Sequence, residues 1–174
     1  MKKERLSKAL RFAVEAHDGQ FDKAGFPYIM HPIRVAETVK DMTIEGSVAH
    51  KESYTQIAAL LHDVVEDTDI TLEDIRVRFD PFLADIVDAL TKRKHKETYR
   101  QYLDRIRDDH SLVAITVKLA DMADNSRPDR LAYLPVEKQV RLAAKYTRGR
   151  HYLLTGEWYN NKDLDRVIKA GYRR

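Results

Sequence analysis

An apolar stretch interrupted by charge places the tightest constraint on how this chain can fold. Ala58-Ala59-Leu60-Leu61 runs directly into His62-Asp63, resumes as Val64-Val65, and ends in Glu66-Asp67-Thr68. A helix with that pattern buries one side while carrying an imidazole and several carboxylates into the same neighbourhood. A charge buried without a partner is strongly destabilising, so the fold must supply a cation or a path to water. A divalent metal meets that need, because neutral imidazole and carboxylate oxygen form a common ligand set. The plainer reading of His62-Asp63 is an N–H···carboxylate pair that supports the fold.

The spacing narrows the geometry. Asp63 and Glu66 are three residues apart, while His62–Glu66 and Asp63–Asp67 are four apart, which on a continuous helix sets the side chains on neighbouring turns. His62 and Asp63 diverge by about 100° around the axis, yet both can reach an ion lying between their directions. They cannot complete a site alone, so further ligands must come from other helices. His31 stands at a predicted helix start behind a loop containing glycine and proline, where a side chain can enter a cleft. Asp121 follows Val117-Lys118-Leu119-Ala120, so its carboxylate emerges from an otherwise apolar helix, with Asp124 and Asn125 on the same face.

Helical periodicity runs the length of the chain. Leu6, Ala9, Leu10, Ala13 and His17 form one face, stopped by Gly19, and a loop follows from Phe21 to Tyr28. His31-Pro32 restarts a helix, since proline is tolerated in a first turn, and Val35, Val39 and Met42 give it an apolar face. Gly46-Ser47 breaks it, and a further helix is predicted through Ile57, Leu60, Leu61 and Val64 to Glu66. Later helices are predicted from Thr71 as N-cap, from Pro81, over Glu97 to His110, through Leu112, Ile115 and Leu119 to before Pro128, and from Pro135 to about Arg148. Strand signals are poor and no repeat or linker is evident. The expectation is an all-α helical bundle, a single domain over residues 1–174.

Composition excludes several classes of function. The chain has no cysteine, which removes disulfides, zinc fingers and thiolate catalysis and fits a cytoplasmic setting. A net charge of +3 with 34% charged residues describes a mixed surface. That balance suits an anionic metabolite better than a nucleic acid polymer, which calls for a dense basic stripe. No segment reaches the roughly 20 apolar residues of a membrane span, so no membrane partner is expected. Homo-oligomerisation is left open.

Three blocks, in this order, then become specific. They are His17-Asp18-Gly19-Gln20 leading to Pro27-Tyr28-Ile29-Met30-His31-Pro32; Leu60-Leu61-His62-Asp63-Val64-Val65-Glu66-Asp67-Thr68; and Val117-Lys118-Leu119-Ala120-Asp121-Met122-Ala123-Asp124-Asn125. Over about residues 6–150 the chain resembles the HD superfamily of metal-dependent phosphohydrolases, and within it the RelA/SpoT-type hydrolase domains and small alarmone hydrolases. The resemblance implies an HD-type helical bundle in which His31, His62, Asp63 and Asp121 bind one divalent ion, usually manganese. Glu66 and Asp67 would orient or deprotonate the attacking water, and Asn125 would bond the substrate near its ribose or phosphate. The reaction implied is removal of pyrophosphate from the 3′ position of guanosine tetra- or pentaphosphate. An HD-type 5′-nucleotidase or other phosphomonoesterase, and a non-catalytic nucleotide-sensing module, are the alternatives. No synthetase or regulatory domain is read beyond the hydrolase-like region.

Two positions depart from that pattern. Asp22 stands where the relatives carry arginine before the lysine matched by Lys23, and Met122 stands where they carry a basic residue. Lys23 and Tyr28 are the candidates for base or ribose contact, although Tyr28 can equally pack the loop. Lys92 and Arg93 open the run Lys92-Arg93-Lys94-His95-Lys96, which reads either as a solvated loop or as a phosphate clamp at the cleft mouth. His17 is read as a hydrogen-bonded structural residue, Asp124 as either a support to the site or a surface acid, and His50, His95, His110 and His151 as surface residues.

Overall fold

The computed structural model describes residues 2–42, 49–108 and 112–159, which form helices and connecting turns with no strand beyond one isolated bridge between Phe21 and Pro27. The Gly46-Ser47 break and His110 lie outside the described residues, as does the side chain of His50. The all-α expectation holds for the rest.

Helix α1 (Lys2–Ala16) buries Ala9, Phe12 and Ala13. It gives way to a turn in which Gly19 adopts φ 71°, a left-handed conformation that glycine reaches without steric cost. In the loop that follows, Asp22 Oδ1 accepts from the backbone N–H groups of Ala24 (2.9 Å) and Phe26 (3.0 Å), so this acid organises the loop from inside. Helix α2 (Met30–Asp41) starts with Pro32 in its first turn and buries His31, Val35, Ala36 and Val39.

Helix α3 (Ala49–Leu61) ends earlier than its periodicity predicts. Residues 62 and 63 form a turn, and a short helix α4 (Val64–Asp67) resumes behind them. His62 Nδ1 bonds the Ala59 carbonyl at 2.8 Å, which is the carbonyl that the residue-63 amide would use in a continuing helix. The pair is therefore presented from a helix end, where both side chains face the same way more readily than on a continuous helix.

Helix α5 (Leu72–Arg78) is opened by a capping box: Asp74 N–H donates to the Thr71 hydroxyl and Asp74 Oδ2 accepts from the Thr71 N–H. Helix α6 (Pro81–Leu90) is capped by Asp80, whose Oδ1 accepts from the Leu83 N–H at 2.8 Å. Helix α7 (Tyr99–Asp108) begins after Glu97, because Thr98 exchanges capping bonds with Gln101 while Glu97 turns back to Arg93 N–H and Arg105. Helix α8 (Leu112–Asn125) and the short α9 (Pro128–Leu131) follow. Helix α10 (Val136–Thr155) runs beyond the predicted Arg148, to Gly156 at φ 83°. Gly149 does not break it; a Cβ there would come within 2.6 Å of the Tyr99 hydroxyl and 3.0 Å of Met122 Cε, so its bareness lets α10 lie close to α7 and α8.

Helices α3 and α8 form the centre: α3 packs on α1, α2, α6 and α8, and α8 also meets α2, α6, α7 and α10. The buried apolar side chains, Leu61, Ile75, Leu83, Ile86, Leu103, Ile106 and Met122 among them, form one continuous core. Each large one contributes about 1.5–3 kcal/mol by leaving water. That packing holds the N-terminal end of α2, the C-terminal end of α3 and the C-terminal half of α8 against one another. Among the described residues no helix is long and apolar enough to cross a membrane.

Candidate metal centre and adjoining cavity

His31 and His62 are both 2% exposed or less, and each has its Nδ1 anchored from behind. His31 Nδ1 bonds Asp124 Oδ2 at 2.7 Å and His62 Nδ1 bonds the Ala59 carbonyl. Anchored in this way, the two Nε2 atoms point into the same space. His31 Nε2 lies 3.2 Å from Asp121 Oδ1 and 3.6 Å from Asp63 Oδ2; His62 Nε2 lies 3.1 Å from Asp63 Oδ2 and 3.7 Å from Asp121 Oδ1. The ligand atoms of His31, His62 and Asp63 all fall within 4.8 Å of one another. His62 Nε2 is buried without a properly aligned hydrogen-bond partner. Two imidazole nitrogens and two carboxylates converging on one point, the imidazoles fixed through their far nitrogens, are suited to a divalent ion.

The electrostatics agree. Burial pushes the His62 imidazole toward neutrality, but Asp63 and Asp121 outweigh it and raise its pKa to about 10. His31 is likewise raised despite burial, through Asp121 and Asp124. Burial acts to raise Asp63 and Asp121 as well; His62 holds Asp63 below the usual carboxylate range, and Lys118 does most to lower Asp121. The two carboxylates thus demand positive charge at the point where the imidazoles meet, and an ion with neutral histidines satisfies that demand as protonated histidines do.

Around this centre sits a layer of paired groups. Asp124 is held by Arg34, Nε to Oδ1 at 2.6 Å and Nη2 to Oδ2 at 3.1 Å, and by Arg130. Lys118 Nζ binds Asp121 Oδ2 at 2.6 Å, and the Asn125 amide donates to Asp121 Oδ1. The Tyr28 hydroxyl donates to Asp63 Oδ2 at 2.5 Å, its ring packed between His17 (4.9 Å) and His31 (5.8 Å). Burial and then Asp63 raise the Tyr28 pKa, so the hydroxyl stays a donor.

On one side lie the acids of α4. Glu66 Oε2 accepts from the Lys92 N–H at 2.8 Å, and its pKa is raised chiefly by burial. Asp67 pairs with Lys94 Nζ at 2.9 Å and stands 3.4 Å from the Tyr28 hydroxyl. A cavity of about 380 Å³ opens beside them, lined by Asp22, Lys23, Tyr28, Asp67, Asn125, Arg130 and Tyr146, with Phe21, Leu131 and Leu142 adding apolar wall. Its mixed wall suits a nucleotide-sized ligand.

The profile of the HD domain matches residues 9–134. The chain belongs to the HD-domain family. Similar curated proteins include the guanosine-3′,5′-bis(diphosphate) 3′-pyrophosphohydrolases of Aquifex aeolicus (36% identical over 129 residues, 70% of this chain and 17% of that protein) and Vibrio cholerae (34% over 151 residues, 80% and 20%). A GTP pyrophosphokinase of Myxococcus xanthus is 32% identical over 152 residues, 79% of this chain and 18% of that one. This HD domain spans about a fifth of the length of the curated relatives it matches. Among solved structures, that of a metazoan ortholog of SpoT, described as hydrolysing ppGpp, aligns over 95% of this chain and 94% of its own, with a TM-score of 0.67 and 26% identity.

Within the HD domain the structure brings together His31, His62, Asp63 and Asp121, with Glu66 and Asp67 alongside and Lys23, Tyr28 and Asn125 on the cavity wall. Tyr28 and Asn125 face two ways, each bonding a carboxylate of the centre while lining the cavity. Of the basic run, neither Lys92 nor Arg93 lines the cavity: the Arg93 guanidinium lies 3.5 Å from Asp88, and the Lys92 backbone N–H bonds Glu66. Lys94 carries the contact to the acidic pair instead. Met122 is fully buried against α10, so its departure from the family pattern is a matter of core packing. Asp22 is tied to its own loop and lies 3.6 Å from Arg130.

His17 is buried as expected, with Nδ1 2.9 Å from Gln20 Oε1. His95 is exposed, and His151 stacks on Tyr159 and lies 3.7 Å from Glu157. Sequence reasoning missed Arg34, Lys118 and Arg130 as supports. Arg34 and Lys118 carry a usable signal, each three residues from a centre residue on the same helix. Arg130 has none, since only tertiary packing brings it to Asp124.

Proposed function

We propose that this HD domain is a metal-dependent phosphohydrolase that removes pyrophosphate from the 3′ position of guanosine-3′,5′-bis(diphosphate), with manganese as its metal. The observation that carries the reading is the convergence of His31, His62, Asp63 and Asp121 at the edge of a nucleotide-sized cavity. It is supported by the match, over nearly the whole of both chains, to a metazoan protein described as hydrolysing ppGpp. The pyrophosphohydrolases similar to it in sequence point the same way.

In this reading His31, His62, Asp63 and Asp121 hold the ion, which supplies Lewis acidity toward a phosphorus oxygen and makes water more acidic. Asp124 and the Ala59 carbonyl keep both imidazoles in the tautomer with Nε2 free. Glu66, with its proton affinity raised by burial, takes the proton of the attacking water; its Oε2 is fixed by the Lys92 amide. Asp67 orients that water, steadied by Lys94. The bond from the 3′ oxygen to phosphorus breaks, and the departing oxygen takes up a proton. Asn125, Lys23 and Tyr28 line the space for the nucleoside.

Product analysis on a panel of nucleotides with manganese tests the proposal. Pyrophosphate and guanosine diphosphate are expected from the tetraphosphate. Orthophosphate released from nucleoside monophosphates, with the tetraphosphate untouched, would replace it with the phosphomonoesterase reading. Tight nucleotide binding without any product would replace it with the sensing module.

A further inference from the structure

The Lys92 N–H that fixes Glu66 Oε2 belongs to the segment of residues 91–98, which joins α6 to α7. Lys94 of the same segment bonds the Glu66 carbonyl at 3.1 Å and Asp67 Oδ1 at 2.9 Å. Both acids of α4 thus take their position in part from a stretch that has no helix of its own. Local preference does not hold that stretch, since His95 sits at φ 64°, a left-handed conformation unfavourable for a residue with a Cβ. Ties from elsewhere must set it.

Arg105 on α7 supplies them. Its guanidinium donates to the carbonyls of Asp88 (2.9 Å) and Ala89 (3.1 Å) in the last turn of α6, and to that of Thr91 at 2.8 Å. On its other side it pairs with Glu97, Nη2 to Oε1 at 2.9 Å and Nε to Oε2 at 3.3 Å. Glu97 Oε1 in turn accepts from the Arg93 N–H at 2.7 Å. The ion pair therefore spans Lys92, taking the carbonyl before it and the N–H after it. Its side chains are only 21% and 10% exposed, so water competes weakly for these bonds.

The Thr91 carbonyl and the Lys92 N–H are the two ends of one peptide group. That group is planar, and in a trans peptide its C=O and N–H point in opposite directions. A guanidinium that fixes the carbonyl therefore aims the N–H, and this N–H ends on Glu66 Oε2 at 2.8 Å. A charged donor on the carbonyl also polarises the peptide and strengthens the bond made by its N–H. We propose that Arg105, with Glu97 as its counter-ion, is a positioning residue for hydrolysis: it holds the Thr91–Lys92 peptide so that the Lys92 N–H keeps the Glu66 carboxylate turned for proton transfer. The role in hydrolysis rests on the reading of Glu66 as proton acceptor; the hold on the peptide does not. Arg105 stands outside the lining of the cavity, so its effect belongs to the chemical step rather than to substrate binding.

The test compares wild-type protein, Arg105→Gln, Glu66→Gln and the double variant. It measures kcat and KM for the tetraphosphate with manganese, metal content, thermal midpoint, and hydrogen exchange of the Lys92 amide by NMR. Arg105→Gln is expected to lower kcat roughly tenfold, the scale of one lost charge-assisted contact. KM and metal content are expected to hold, and Lys92 exchange to quicken several-fold. The double variant is expected to fall no further than Glu66→Gln alone, because both changes act at one carboxylate. A residue that only caps α6 would lower the thermal midpoint and leave kcat alone, or add its loss in full to that of Glu66→Gln; either result overturns the proposal. If Arg105→Gln does not fold, Arg105→Lys, which keeps the charge but not the fork, carries the same expectation at smaller size. If Glu66→Gln hydrolyses the tetraphosphate at the wild-type rate, the proposal falls with the role of Glu66 while the hydrolase reading stands. If wild-type protein turns nothing over, the hydrolase reading falls and the exchange arm decides: faster Lys92 exchange in Arg105→Gln upholds the hold on the peptide, and unchanged exchange overturns it.

Discussion

At the floor of the site each carboxylate is held by partners from its own chain: Asp63 meets His62 and accepts from Tyr28, Asp121 holds Lys118, and Asp124 sits between Arg34 and Arg130. At the cavity wall the pairing is looser: among the described residues Lys23 has no carboxylate within ion-pair distance, and Arg130 lies 3.6 Å from Asp22. The floor is built from helix ends packed against the core, whereas the cavity wall is built from the loop after α1, the ends of α4 and α8, α9 and one face of α10. The difference separates two tasks. A floor whose side chains hold one another is suited to position an ion and a water. A wall that keeps a cation outside such pairs can meet an anionic ligand.

Five substitutions would break or sharpen that contrast. Asp63→Ala removes a carboxylate on which both imidazoles converge; manganese measured by atomic absorption after desalting is expected to vanish, and turnover with it. Appreciable turnover by the metal-free variant would overturn the mechanism. Glu66→Gln keeps the shape but not the proton affinity, so turnover is expected to fall roughly 10²–10⁴-fold with manganese retained. Asp124→Asn leaves the ligands in place but loosens the hold on His31 and frees two guanidinium groups. A loss of about 10–100-fold in manganese affinity or activity is expected, read by metal titration. In the basic run, Lys92→Ala is expected to raise KM several-fold, whereas Arg93→Ala, whose guanidinium faces Asp88, is expected to leave it unchanged. Equal effects from both lysine and arginine would mean that the run acts as a diffuse basic loop.

A control far from both regions completes the set. Thr71→Ala removes the capping hydroxyl of α5 and is expected to cost about 1 kcal/mol of stability, seen as a lowered thermal midpoint with unchanged kinetics.

Much of the floor was legible before any coordinates. His62-Asp63 after an apolar run and Asp121 after another announce charge delivered into a core, and hydrophobic periodicity placed most of the helices. Boundaries were less accessible. The early end of α3 depends on a ring-to-carbonyl bond at His62, and the length of α10 depends on Gly149 fitting against Tyr99 and Met122, neither of which leaves a mark in periodicity. The basic run was read with mixed success. A run of basic residues shows that charge is available but not where each head group goes: Arg93 turns to Asp88 and Lys94 to Asp67.

The amino-acid order settled composition-level and local matters: an all-helical chain, no thiol chemistry, a capping box at Thr71 and Asp74, and a set of histidines and aspartates of metal-binding type. These follow from intrinsic preferences and short-range spacing, which one strand of text contains. Which cation answers which carboxylate is a different kind of fact. Arg130 reaching Asp124 and Asp22, Tyr28 reaching Asp63, and Lys145 standing between Tyr99 and Tyr146 depend on how far packed helices bring distant side chains together. Electrostatic energy varies with distance and burial, and both come into being only once the core has formed.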